Sequence, residues 1–239
     1  MMSSNPSITR AGGAQPMAGM AAVSSMAADM AARKDRLSRL KARIPKPHEA
    51  SFFFYDAHFQ SEAVKILPGE YFVFNEDVLI MTTLGSCIAV CLWDRQAKIG
   101  GMSHFMLPDN GGGASDSGRY GSFAMELLIN EMLKMGASRM TLEAKVFGGG
   151  AVISGMSSIN VGERNTQFVM DYLKTERIPI VSKDVLDIYP RKVCFFPKSG
   201  KAMVKRLAPS NPDAIVAQER AAAQKAAVPA ATGGSIDLF

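Results

Sequence analysis

Thr82-Thr83-Leu84-Gly85-Ser86-Cys87-Ile88-Ala89-Val90-Cys91-Leu92-Trp93, continued by Lys98-Ile99-Gly100-Gly101-Met102-Ser103-His104-Phe105-Met106-Leu107, decides how this chain folds. Cys87 to Trp93 is short and apolar, bounded by Gly85-Ser86 before and Asp94-Arg95-Gln96 after, so it reads as a strand. Lys98 to Leu107, closed by Pro108, reads as a second strand, and the polar run Asp94-Arg95-Gln96-Ala97 as the hairpin turn between them. A two-residue loop (Arg95, Gln96) and a four-residue loop (Asp94 to Ala97) both set Cys87 directly opposite His104. Their Cβ atoms would then lie roughly 5 Å apart on one face. A thiol beside an imidazole is the minimum for a cysteine nucleophile with a general base.

Upstream, Val64 to Leu67, Tyr71 to Asn75 and Val78 to Thr83 read as short strands, with turns at Pro68-Gly69 and Asn75-Glu76-Asp77. Ser51 to His58, with Phe52, Phe53, Phe54 and Tyr55 in a row, reads as an aromatic segment packed on the domain's edge. Downstream, Asp109 to Gly118 reads as a flexible loop, either a lid near the site or a plain linker. Tyr120, Phe123, Ala124, Leu127, Leu128, Met132 and Met135 recur at helical spacing up to Gly136, which predicts a helix packed on a sheet. Met140 to Val146 alternates as a strand. Phe147-Gly148-Gly149-Gly150-Ala151 lacks the spacing and the lysine of a phosphate cradle, and reads as a tight turn with close backbone approach. A helix over Thr166 to Glu176 and strands over Ile178 to Ser182, Arg191 to Phe196 and Ala202 to Leu207 complete the pattern.

The chain has 239 residues and is 47% hydrophobic, enough for a packed core. No apolar run is long enough to span a membrane, and no basic segment precedes an apolar one as in a secretory signal. Cys87 and Cys91, four apart on one strand, are too distant to bridge or to share a zinc ion with His104 and Cys194. Reduced thiols in the cytoplasm are therefore expected, with Cys91 and Cys194 as core residues and neither metal nor cofactor. The net charge of +5 is more than supplied by residues 33–46, where seven basic residues face Asp35 alone. The body of the chain is slightly acidic, which argues against nucleic acid as a partner. Three regions follow: a basic extension over 1–50, a catalytic domain over 51–208 and a low-complexity tail over 209–239. The extension reads as disordered to about residue 16 and helical over 17–44, with Leu37, Leu40 and Ile44 on one face. That helix suits either a bare surface or docking to an acidic or membrane-proximal partner. The tail reads as helical to about Val228.

Leu84-Gly85-Ser86-Cys87-Ile88-Ala89-Val90-Cys91-Leu92-Trp93-Asp94 and Gly100-Gly101-Met102-Ser103-His104-Phe105-Met106-Leu107-Pro108 resemble the CheD family of bacterial chemoreceptor glutamine deamidases. The resemblance extends to Phe147-Gly148-Gly149, Gly162-Glu163-Arg164-Asn165, Arg191-Lys192-Val193 and Pro197-Lys198-Ser199-Gly200, and covers about Leu67 to Leu207. It implies an α+β fold, a layered α/β/β sandwich forming a single catalytic domain with flexible N- and C-terminal extensions. It also implies hydrolysis of selected glutamine side chains on the cytoplasmic domains of methyl-accepting chemoreceptors. The family's catalytic Cys, His and Thr fall on Cys87, His104 and Thr82, with Thr83 as the adjacent alternative.

The residues fit that chemistry. Backbone N–H groups around Gly85, Ser86 and Cys87 are candidates for an oxyanion hole, and a thiolate paired with imidazolium should titrate below a free cysteine. One departure stands out: where the family usually has paired glycines after an Asp, this chain reads Asp184-Val185-Leu186-Asp187. Its loop position assigns the change to partner or substrate selection. Two other function classes fit the same residues, an adaptor for a CheC-type phosphatase and a general cysteine hydrolase.

Overall fold

The structure, a computed structural model, describes residues 35–76, 78–107, 114–152, 158–208, 215, 217–219 and 221. Two five-stranded mixed sheets stack on each other. The first runs in the order β3 (Tyr71–Phe74), β6 (Ile99–Phe105), β5 (Ile88–Asp94), β7 (Leu142–Gly148) and β8 (Ile180–Val185). The second runs β1 (Phe52–Asp56), β2 (Ser61–Lys65), β4 (Leu79–Leu84), β9 (Arg191–Phe196) and β10 (Lys201–Arg206). Helices α2 (Ala114–Lys134) and α3 (Ser158–Thr175) lie on the first sheet. This is the α/β/β layering that the resemblance implies.

Strand β5 explains the layering, because it is buried on both faces. Ile88, Val90 and Leu92 point to the helix layer, where they meet Met125, Leu128, Ile129 and Met132 of α2 and Val169 and Leu173 of α3. The alternate residues Ala89 and Cys91, with Cys87 just before them, point between the sheets toward Val64, Ile80, Leu84, Val193 and Phe195. Burial on both faces is why the sequence shows a continuous apolar run there instead of alternation.

Several elements differ from the sequence expectation. The aromatic segment is β1, an edge strand paired antiparallel with β2. Helix α2 starts at Ala114, so the last part of the expected Asp109–Gly118 loop is helical, and 109–113 lies outside the described residues. Helix α3 starts at Ser158, eight residues ahead of the expected Thr166. The hairpin register pairs Ala89 with His104, and Asp94 with Ile99. Asp94 Oδ1 accepts from the N–H groups of Gln96 and Ala97, and Lys98 takes a left-handed φ of 56°. The turn therefore includes Lys98, and the pairing slides by one residue on each strand.

Residues 35–42 form a helix, α1, which buries Leu40 (2% exposed) and leaves Ile44 beyond its end (93% exposed). The expected disordered and helical parts before residue 35 lie outside the described residues. Among the described residues, part of the extension's positive charge is engaged by the domain's acids, Arg36 with Glu62 at 3.2 Å and Glu76 at 3.1 Å and Lys46 with Glu131, while Arg43 pairs with the extension's own Glu49 at 2.7 Å. Among the described residues, no helix is long and apolar enough to cross a membrane.

Candidate active site

The site lies between the two sheets. Cys87, immediately before β5, and His104 of β6 come from the first sheet, and Thr82 of β4 comes from the second. Opposite Ala89, His104 is diagonal to Cys87 on the same face, so the slip in register leaves thiol and imidazole together. Thr82 Oγ1 lies 2.7 Å from His104 Nδ1 and 2.8 Å from the Ile66 carbonyl oxygen. A hydroxyl has one proton to give. Donated to Ile66, it leaves Thr82 to accept from Nδ1–H, which puts the imidazole lone pair on Nε2. Nε2 is buried and has no hydrogen-bond partner among the described residues. Thr83, one residue on, faces the other side of the strand.

A residue that sequence reasoning did not place in the site enters it from the C-terminal segment. Glu219 Oε1 accepts from the backbone N–H of Gly85 (2.7 Å) and Cys87 (3.1 Å). Its Oε2 accepts from the backbone N–H of Ser86 (3.0 Å) and from Ser86 Oγ (2.8 Å). The Cys87 sulfur, a His104 ring nitrogen and a Glu219 carboxylate oxygen all lie within 4.8 Å of one another. A metal ion at this trio would face N–H donors that already saturate both carboxylate oxygens, so the arrangement suits an anion or a developing oxyanion.

The N–H groups converge because the carbonyls behind them are tied back. Gly149 N–H donates to Cys87 O and Gly150 N–H to Gly85 O, both at 2.8 Å. Asn165 Nδ2 donates to Ser86 O at 2.9 Å, while its Oδ1 accepts from Leu107 N–H at 3.0 Å. The expected close approach at the glycine run is real. Gly148 has φ 112°, and a Cβ there would collide with the Cys87 carbonyl oxygen.

The loop after β8, residues 186–190, braces the other side of this turn. Leu186 N–H donates to Gly148 O at 2.8 Å, and Ala151 N–H to Asp187 O at 2.7 Å. Leu186 and Asp187 have φ of 63° and 71°. This is the left-handed region that glycine enters freely and that strains other residues by about 1–2 kcal/mol each. The departure from paired glycines thus bears on the scaffold of the Cys87 loop, which sequence distance had concealed.

Charge in the site runs against the sequence expectation of a lowered thiol pKa. Burial, and after it the Glu219 carboxylate, pushes the Cys87 thiol well above a free cysteine. Burial also brings His104 down to about 4, against the opposing pull of Glu219 and the Ile66 carbonyl. Burial, the largest cause at both groups, thus favours the neutral thiol and the neutral imidazole. The folded-state pKa of His104 lies below its unfolded value of 6.5, so the stability at stake is present above pH 6.5 and is lost as pH falls toward 4. The loss amounts to on the order of 3 kcal/mol. Urea midpoints measured across that window should fall for the native chain and stay flatter for His104→Gln. Parallel curves would show that His104 does not govern the slope.

Cys91 is buried between the sheets and Cys194 on the far face of the second sheet, both away from this trio. The residues that sequence reasoning missed are Glu219 and the supports Ile66, Asn165 and Arg191, the last donating to the Leu186 and Tyr189 carbonyls of the bracing loop. Asn165 stands in the Gly162-Glu163-Arg164-Asn165 motif, which was a signal of importance without a role.

Comparison with known proteins adds independent findings. A family description, CheD chemotactic sensory transduction, matches residues 106–206. A protein of Albidiferax ferrireducens named "Probable chemoreceptor glutamine deamidase CheD 1" is 61% identical over 85% of this chain and 87% of its own length. "Probable chemoreceptor glutamine deamidase CheD" of Janthinobacterium sp. (strain Marseille) is 51% identical over 83% of this chain and 99% of its own. A Dechloromonas aromatica protein bearing the first of these names is 55% identical over 72% of this chain and 87% of its own.

Proposed function

This chain belongs to the CheD family, and from that premise we propose that it deamidates glutamine side chains on the cytoplasmic domains of chemoreceptors, with Cys87, His104 and Thr82 as its catalytic machinery. The reading is supported above all by the convergence of the Gly85, Ser86 and Cys87 N–H groups on one carboxylate beside the Cys87 thiol. A glutamine amide differs from that carboxylate by one group.

With the amide bound, His104 Nε2 takes the thiol proton and the sulfur attacks the side-chain carbonyl carbon. The carbonyl oxygen becomes an oxyanion held by the Gly85 and Cys87 N–H groups, where Glu219 Oε1 sits in this structure. His104 returns the proton to the leaving nitrogen, which departs as ammonia and leaves a thioester. Water, deprotonated by His104, then releases glutamate and the free thiol. An uncharged amide in place of a carboxylate removes the second cause that pushes the thiol up, so substrate favours ionisation and product opposes it.

The test is ammonia release from a receptor cytoplasmic fragment, with mass spectrometry locating glutamine-to-glutamate conversion. No ammonia from a receptor fragment that binds would sink the reading. In this view the chain works in the cytoplasm, and a CheC-type phosphatase is a further partner. The adaptor alternative would show as full partner binding with no turnover at all.

Thr82 orients His104 in this mechanism. Thr82→Val should lower kcat by about 10- to 100-fold through misplacement of the imidazole, while Thr82→Ser restores most of it. Because the hydroxyl also serves the buried Ile66 carbonyl, the valine variant should lose about 1–3 kcal/mol of stability as well. That is more than the strand position alone implies. Thr83→Val should affect neither kcat nor its pH profile, and the reverse pattern would move the assignment by one residue.

A further inference from the structure

We propose that the helical segment around Glu219 is a built-in product mimic: it occupies this chain's own active site and must leave before a receptor glutamine enters. The proposal rests on the deamidase reading above, because glutamate is what deamidation of glutamine leaves behind.

Four hydrogen-bond donors meet the Glu219 carboxylate, and they use both of its oxygens. Glu219 is 4% exposed, whereas Ala217 and Ala221 on the same segment are exposed. One long side chain has been inserted from a helical segment whose two described alanines face outward. The fit is close: a Cβ added at Gly85 would stand 3.0 Å from Glu219 Oε2. Strand β10 ends at Arg206, so the segment is tethered a short way from the domain it enters. Tethering makes occupancy intramolecular, with an effective concentration on the order of millimolar.

The site also discriminates between product and substrate. A carboxylate accepts all four bonds. A carboxamide keeps the Gly85 and Cys87 bonds on its oxygen but turns its NH2 toward the Ser86 N–H, a donor against a donor. The resident glutamate is therefore the stronger ground-state ligand, and an incoming glutamine competes with it at a disadvantage. That asymmetry makes the segment a regulator of access: whatever draws Glu219 away uncovers the thiol.

Two variants of the full chain test this. Glu219→Ala should expose Cys87. If the segment is seated about nine-tenths of the time, iodoacetamide labelling of Cys87 rises about tenfold, and KM for a receptor fragment falls with kcat unchanged. Glu219→Gln places a substrate in the seat. Cys87 attacks the carbon of the new side-chain amide, ammonia leaves with the proton from His104, and water cleaves the thioester to restore Glu219 and the thiol. Peptide mass spectrometry should then find glutamate at position 219, with one ammonia released per chain, and glutamine retained when Cys87→Ala is added.

Native chain that turns over receptor, Glu219→Ala that labels no faster, and a Glu219→Gln chain that keeps its glutamine would together overturn the proposal. Protection of Cys87 that weakens on dilution would overturn it too, since a second copy would then be the occupant. Faster labelling in Glu219→Ala, with no ammonia from receptor or from the Glu219→Gln chain, would leave the occupied seat standing and sink the deamidase reading instead.

Discussion

Cys87→Ala is expected to abolish ammonia release from a receptor fragment, a loss of at least about 10³-fold, since removal of a nucleophile leaves only the binding and oxyanion contributions. The side chain is small and fully buried, and its carbonyl bond to Gly149 N–H is made by the backbone and survives the change. Circular dichroism and thermal melting should therefore be close to those of the native chain. Sustained deamidation by Cys87→Ala would end the mechanism. In the native chain Cys87 should alkylate slowly even at alkaline pH, because burial and Glu219 both hold the thiol protonated. Labelling of Cys87 ahead of Cys194 at neutral pH would contradict that state.

Arg191→Met should be the most destabilising single change near the site, by about 3–5 kcal/mol. Arg191 is 0% exposed. Its guanidinium donates to Asp184 Oδ1 through Nε (3.0 Å) and Nη2 (2.9 Å), to Tyr189 O at 3.0 Å and to Leu186 O at 2.5 Å. Methionine can fill the volume but takes the guanidinium donor from the Tyr189 and Leu186 carbonyls and leaves the Asp184 carboxylate to Arg206 alone. The loop so released is the one that braces Gly148 and Ala151, so activity should fall further than the unfolded fraction explains. A urea titration read alongside ammonia release separates the two effects. An unchanged urea midpoint would show that the fork is not what holds the loop.

The sheets were legible where a strand is bounded by turn residues and buried on a consistent face. Arg191 to Phe196 is one such strand, and β5 and β6 lay within a residue or two of their predicted limits. The hairpin's register was not legible, because it depends on Asp94 folding its side chain over Gln96 and Ala97. The facing directions survived, because shifting both strands by one keeps Cys87 and His104 on one side. The start of α2 was hidden by Gly and Ser residues that favour loops in isolation. Of the candidate site, Thr82, Gly85, Ser86, Cys87 and His104 are gathered within one region. Glu219 was invisible, since one of three scattered acids in an alanine-rich tail carries no local pattern and only tertiary structure brings it to Cys87.

The second sheet has an order of assembly written into it. Strand β4, which carries Thr82, is bordered by β2 on one side and by β9 on the other. β2 is complete before β4 is made, but β9 begins at Arg191, about a hundred residues further along the chain. On the ribosome, Leu79–Leu84 must wait for its second neighbour with an open row of backbone donors and acceptors beside an apolar face. At typical synthesis speeds that interval is roughly 5 to 20 seconds. The half-sheet is then exposed to pairing with another nascent chain, and yield in the cell should depend on holdase chaperones more than the stability of the finished sandwich would suggest.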